Sequence, residues 1–229
     1  MNESFFAGVT RLFVTGALAA GALLLTAPNA VSQETLADLA SGGSITNGDK
    51  VFSNFSNISQ VGDLSVPLSS IYVEPIDVGG DLGIRFESAL WSLSGADQNY
   101  DLSFNFQVST TSGQALIEDD TLAMTGGINA DGATDIAEGV TDTNANTLAS
   151  NYVYLNSDGQ QLTDNESLTN SPYAVINISK DFAMTTGADP SSQVFMSHFD
   201  QTFSQVPEPS IALLFGLGGL GMLVFRRRK

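Results

Sequence analysis

Paired carboxylates are the first residues to weigh. Two of them about 5 Å apart, or about 6.5–9.5 Å apart, can hydrolyse a glycosidic bond with retention or inversion. Glu118, Asp119 and Asp120 are contiguous, and Glu138 falls on an expected strand. With 25 acidic residues in a chain of 229, some acids will approach one another in almost any fold, so abundance alone specifies no site. Oxygen donors around a glycine suit a hard cation instead. Residues 129–135 (Asn-Ala-Asp-Gly-Ala-Thr-Asp) and 156–159 (Asn-Ser-Asp-Gly) have that character, which makes Asp131, Asp135 and Asp158 the candidate calcium ligands. The second stretch fails the EF-hand template: Tyr154 would stand at its first position and Asn165 at its twelfth, where carboxylates are needed. Asp and Asn in turns also bond their own backbone. No metal site or cofactor is therefore assigned, and bound calcium stays an alternative.

His198 is the sole histidine and cysteine is absent. A histidine-based metal site has one ligand to draw on, a thiol nucleophile is excluded, and no G-x-S-x-G elbow occurs to serve a Ser-His-Asp arrangement. Four aromatic residues could stack on sugar rings if they shared an exposed face: Trp91, Tyr72, Tyr152 and Tyr154. The competing place for Trp91 is the core. The chain reads as non-enzymatic. A carbohydrate-binding module acting on exopolysaccharide is the alternative, and a glycoside hydrolase a further one.

The elements that must hold these residues read as strands. At 100–108, Tyr100, Leu102, Phe104, Phe106 and Val108 alternate with Asp101, Ser103, Asn105 and Gln107, a period-2 pattern with no helical counterpart. One face is core and the other wet, as in an antiparallel sheet. Further strands are expected at 50–55 after a turn at Asn47-Gly48-Asp49, and at 71–78, 82–91, 115–125 with a kink, 135–140, 152–155, 173–179 and 194–203. Residues 126–134 read as loop. Pro75 marks an edge or a bend, and 156–159 is a hairpin turn. About eight to ten strands with turn signals between them specify an all-β fold, an antiparallel β-sandwich of jelly-roll-like type.

Both ends differ from this body. Residues 1–32 hold Arg11, an Ala- and Leu-rich apolar stretch, then Pro28 and small residues. That is a secretory signal peptide, with Ala30 and Ser32 at the −3 and −1 positions and cleavage before Gln33. Residues 33–44 read as a leader or linker carrying one helical turn at Leu36, Leu39 and Ala40, and 45–205 as the sandwich. Residues 206–229 fall into three parts. Val206-Pro207-Glu208-Pro209 is stiff and extended, because proline fixes φ and restricts the residue before it. Residues 211–225 form one short transmembrane helix. They span about 23 Å at roughly 1.5 Å per residue, against a hydrocarbon core of about 30 Å. Arg226, Arg227, Arg228 and Lys229 hold the end on the cytoplasmic side.

The order of Pro207-Glu208-Pro209, a glycine-bearing hydrophobic segment and an arginine cluster resembles the PEP-CTERM sorting signal of bacteria. That resemblance implies a substrate of exosortase, a membrane-embedded peptidase that cuts near the tripeptide and passes the body to the cell surface or extracellular matrix. The implied partners are the Sec translocon, signal peptidase and the exosortase-like peptidase, with exopolysaccharide as a further candidate. Between residues 33 and 205 the basic side chains are Lys50, Arg85 and Lys180, against nearly all of the chain's 25 acids. Such a surface repels nucleic acid.

Overall fold

The computed structural model describes residues 33–111 and 116–205. The expected signal peptide before Gln33, with Ala30 and Ser32, and the whole tail from Val206 lie outside the described residues. Among those described, no helix is long and apolar enough to cross a membrane.

The elements are β1 (Glu34–Thr35), α1 (Leu36–Ala40), β2 (Ile45–Asn47), β3 (Lys50–Gly62), a 3-10 turn (Leu68–Ser70), β4 (Tyr72–Val78), β5 (Asp81–Glu87), β6 (Ser92–Ser94), β7 (Asn99–Thr110), β8 (Asp119–Asn129), β9 (Ala133–Thr141), β10 (Thr147–Asn156), β11 (Gly159–Gln161), β12 (Thr163–Ser167), β13 (Val175–Thr185) and β14 (Gln193–Phe203). They build two antiparallel seven-stranded sheets. The first runs β1-β4-β5-β14-β8-β12, with β6 also on β14. The second runs β11-β10-β9-β13-β7-β3-β2.

Alternation decides which side chains meet between the sheets. On β7, Tyr100, Leu102, Phe104, Phe106 and Val108 are buried while their neighbours face outward. The opposing sheet contributes Phe86 and Phe199, whose rings stack at 4.8 Å. Phe199 also stacks on Trp91 at 5.7 Å and tilts against Phe182 at 5.9 Å. Each such ring buries a large apolar area, and ring pairs in these geometries add to it.

Several boundaries differ from the sequence expectation, each for a local reason. The segment read as a leader packs into the sandwich: Glu34–Thr35 pair with β4, and Leu36 and Leu39 are in the core. Thr35 caps the α1 turn by accepting from the Asp38 amide at 3.2 Å. Strand β3 runs well past residue 55, with its register on β7 shifting twice. Asn54 (φ 58°) and Asn57 (φ 54°) take the left-handed conformation there, which Asn tolerates and which bulges use. Pro75 sits on β4 beyond the reach of the two-residue β1, so its missing N–H breaks no ladder on that side. Residues 126–134 are not a loop. Strand β8 continues through Gly126 and Gly127 to Asn129 against β14, and β9 has begun at Ala133.

A polar layer crosses the otherwise apolar core. Lys180 (β13), Glu138 (β9) and Asn151 (β10) point inward from one sheet, Asp120 (β8) and Gln201 (β14) from the other, and all five are buried. Lys180 Nζ pairs with Glu138 Oε2 and donates to Gln201 Oε1. Gln201 Nε2 donates to Asp120 Oδ1 and, at 3.3 Å, to the Thr121 carbonyl. Asn151 Nδ2 donates to Asp120 Oδ2 and to Glu138 Oε1, each at 3.0 Å. Burial, then the neighbouring Glu138 carboxylate, push Asp120 well above the usual carboxylate range, which favours its protonated form. Lys50 is also buried and pairs with Asp49 at 3.2 Å.

Truncating Phe199 to Ala removes the ring on which Phe86, Trp91 and Phe182 converge and should cost about 3–5 kcal/mol in urea unfolding. Phe195→Ala, four residues earlier on the outer face and 50% exposed, should cost under ~1 kcal/mol. Equal losses would contradict this assignment of faces.

Candidate functional site

The outer face of the second sheet gathers the candidate residues. Pairing places Tyr152 of β10 beside Ala137 of β9, and Ala137 beside Asp181 of β13. The next row reads Tyr154, Asp135, Ala183, Asp101 across β10, β9, β13 and β7. A third row carries Ser150, Gly139 and Ser179. The result is a shelf with a floor of small residues, two tyrosines along one side and three aspartates spread across it.

Tyr152 and Tyr154 are two residues apart on one strand and share a face. Their rings stack at 5.8 Å with 27° between planes, and Tyr152 is 47% exposed. The Tyr152 backbone N–H, which faces away from β9, donates to Asp164 Oδ2 at 2.9 Å. That bond holds the tyrosine strand where the short β11 no longer pairs with it. A depression of about 300 Å³ lies between the two tyrosines and the turn at Asn156, Asp158 and Gly159. A second, of about 290 Å³, runs over Ala137, Gly139, Ser179 and Asp181.

The aspartates influence one another. Partial burial, then the Asp181 charge, raise Asp101 above the ordinary carboxylate range. Burial, then Asp181 and Asp101, raise Asp135. Burial, then Asp135, raise the Tyr152 phenol. Carboxylates accept hydrogen bonds from sugar hydroxyls, and exposed aromatic faces pack on sugar C–H groups, so this shelf has both contacts a saccharide uses.

The other candidates lie elsewhere. Trp91 does not join Tyr152 and Tyr154. It is 1% exposed, lying edge-on to Phe182 at 5.0 Å and stacked on Phe199, because the largest apolar side chain gains most from the space between the sheets. Tyr72 is exposed on the outer face of the first sheet instead, where it and Phe195 line a groove of about 510 Å³ with Glu87, Ser88 and the buried Trp91. Ser197 Oγ and His198 Nδ1 share a hydrogen bond at 3.1 Å, its direction set by the imidazole tautomer. Among the described residues no carboxylate hydrogen-bonds that ring.

The calcium candidates are dispersed among separate structures. Asp131 is exposed in the turn between β8 and β9, Asp135 is on the shelf, and Asp158 is in the β10–β11 turn. Asn156 Oδ1 is engaged in that turn, accepting from the Asp158 and Gly159 amides at 2.9 and 3.0 Å. Among the described residues no three His, Cys, Asp or Glu side chains converge to hold a metal ion. Of the acids weighed for glycoside hydrolysis, Asp120 and Glu138 do come together. Their 0% and 3% exposure in the core leaves no room there for a glycosidic bond.

Asp101 and Asp181 were absent from the sequence candidates. The alternation at 100–108 already put Asp101 on the wet face. What could not be read was which strands flank β7 and β13, and hence that both acids meet Asp135.

Both Asp101 and Asp135 have raised folded titrations, so the folded chain binds more protons than the unfolded one and loses stability as pH rises through that range. Asp181→Asn should lower both midpoints, followed by carboxyl-carbon NMR, and weaken that pH dependence. Unchanged midpoints would contradict the coupling.

Comparison with known proteins adds the following. No curated protein matches the chain. Among solved structures, a carbohydrate-binding module, TmCBM61 in complex with β-1,4-galactotriose, aligns at 16% identity with a TM-score of 0.28, over 65% of this chain and 90% of that one. The enzymatically active domain of tailspike protein 4 from bacteriophage CBA120 aligns at 11% identity and 0.28, over 66% and 20%. An arabinose-bound α-L-arabinofuranosidase aligns at 13% identity and 0.26, over 76% and 25%. This chain thus spans a quarter or less of the last two, and similarities at these scores assign no activity. Residues 205–229 match the family model of the PEP-CTERM protein-sorting motif, and the chain therefore carries that motif.

Proposed function

We propose that this chain is an exported protein sorted by an exosortase-like membrane peptidase, and that residues 33–205 are the product delivered to the cell surface or matrix. The PEP-CTERM match at residues 205–229 carries this reading. In it, residues 1–32 direct Sec export and signal peptidase cuts after Ser32. Residues 211–225 hold the chain in the membrane, and Arg226, Arg227, Arg228 and Lys229 anchor its cytoplasmic end. The peptidase then cuts near Val206-Pro207-Glu208-Pro209, where two prolines keep the backbone extended.

Strand β14 ends at Phe203 and the motif match starts at residue 205, so little chain separates the sandwich from the cleavage region. Replacing Pro207, Glu208 and Pro209 together by Ala should leave the protein in the membrane fraction with its basic end intact, read by fractionation and C-terminal mass. Normal release of a shortened chain from this variant would remove the proposal.

The Tyr152–Tyr154 shelf favours a second reading for the delivered body, binding to an extracellular polysaccharide without cleaving it. The observation behind it is the pairing of an exposed, stacked tyrosine ledge with Asp135 and Asp181 over a floor of small residues. Polysaccharide pull-down with Tyr152→Ala and with Tyr154→Ala should each show a loss of about fivefold or more, given roughly 1–3 kcal/mol for each stacking contact by analogy with base stacking. Retention unchanged in both variants would remove the shelf as the binding face.

A further inference from the structure

The buried layer between the sheets contains the parts of an amide-forming reaction. Lys180 Nζ lies against two groups at once: the Glu138 carboxylate, through Oε2, and the Gln201 carboxamide, through Oε1. The Gln201 carbonyl carbon is one bond beyond that oxygen. On its other side, the Gln201 Nε2 group lies against Asp120 Oδ1. Asn151 Nδ2 bonds both acids at 3.0 Å and fixes their orientation. The Lys180 and Glu138 side chains are 0% exposed, and Asp120 and Gln201 are 0% exposed as residues.

We propose that Lys180 and Gln201 join spontaneously in the folded chain through an isopeptide bond, which ties β13 of one sheet to β14 of the other. Glu138 takes a proton from the Lys180 ammonium and leaves a neutral amine. The amine nitrogen attacks Gln201 Cδ and forms the new N–C bond. As the Cδ–Nε2 bond breaks, Asp120 hands its proton to Nε2, which departs as ammonia. Asp120 then recovers a proton from the attacking nitrogen. The balance is ammonium plus carboxylate plus carboxamide, giving secondary amide plus carboxylic acid plus ammonia. No oxidant, metal or co-reactant enters.

Each group has the chemistry its role needs. Fixed neighbours in a dry site replace the encounter and solvent reorganisation that make amide exchange slow in water. Asp120 lies beside the nitrogen that must leave, and its burial and the neighbouring Glu138 favour the protonated form that donates. Glu138 carries no leaving group better than oxide, so it serves as base and Gln201 as acceptor. The reaction also removes a buried ion pair, whose desolvation opposes folding. The chain has no cysteine, so no disulfide can tie the two sheets.

The test is peptide mass analysis of the full-length chain, checked by circular dichroism to be folded, after digestion with a protease that cuts before aspartate. Cleavage at Asp181, Asp189 and Asp200 separates Lys180 from Gln201 unless they are bonded. A linked pair of the 164–180 peptide and the peptide beginning at Asp200, lighter than their sum by about 17 Da for one ammonia, is expected. Glu138→Gln, close to isosteric, should yield the two peptides separately. Separate peptides from folded wild-type protein would overturn the proposal. So would a loss of about 18 Da, which places the bond on a carboxylate, or a linked pair that persists in Glu138→Gln.

Discussion

The structure depends on where Lys180 points. A lysine ammonium in a protein core is tolerated only when paired and hydrogen-bonded, and Glu138 and Gln201 supply that from two different sheets. Because strand side chains alternate, a one-residue slip would turn Lys180 out and draw Asp181 in. Lys180 is paired in register with Glu138, and Glu138 with Asn151, so one inward row sets three neighbouring strands. The outward row follows from it. With Asn151 inside, Tyr152 must face solvent. With Glu138 inside, Ala137 and Gly139 make the floor, and Asp181 flanks it. The candidate shelf is thus the reverse side of the polar layer.

The fold class was legible because alternation is a strong local signal. Residues 100–108 show it over nine positions with hydrophobic and polar groups strictly separated, and the observed burial follows. The signal weakened where the inward residue was polar. Asp120, Glu138 and Lys180 broke the apolar rows of β8, β9 and β13, so the first read as a kink and the strands looked shorter than they are. The Asn residues of β3 hid its length in the same way, since left-handed bulges leave no hydrophobic period. The candidate site was partly legible. Tyr152 and Tyr154 fall on one face from spacing alone, whereas the separation of Tyr72 and the burial of Trp91 depend on strand order, which no local pattern encodes.

Charge connects the body to its handling. Of its three basic residues, Lys50 and Lys180 are inside, and Arg85 is held by Asp200 through two bonds at 2.7 and 2.9 Å. The outer surface is left almost wholly acidic, which favours solubility and opposes contact with nucleic acid or anionic headgroups. The C-terminal segment is the opposite: an apolar run closed by four basic residues.

The central claim is that both ends are instructions for transit and the sandwich is what remains. It is tested most directly by determining the two terminal residues of the protein recovered from outside the cells that make it. The account predicts a chain beginning at Gln33 and ending close to Val206-Pro207-Glu208-Pro209. Recovery of the chain with Met1 and Lys229 both in place would contradict it.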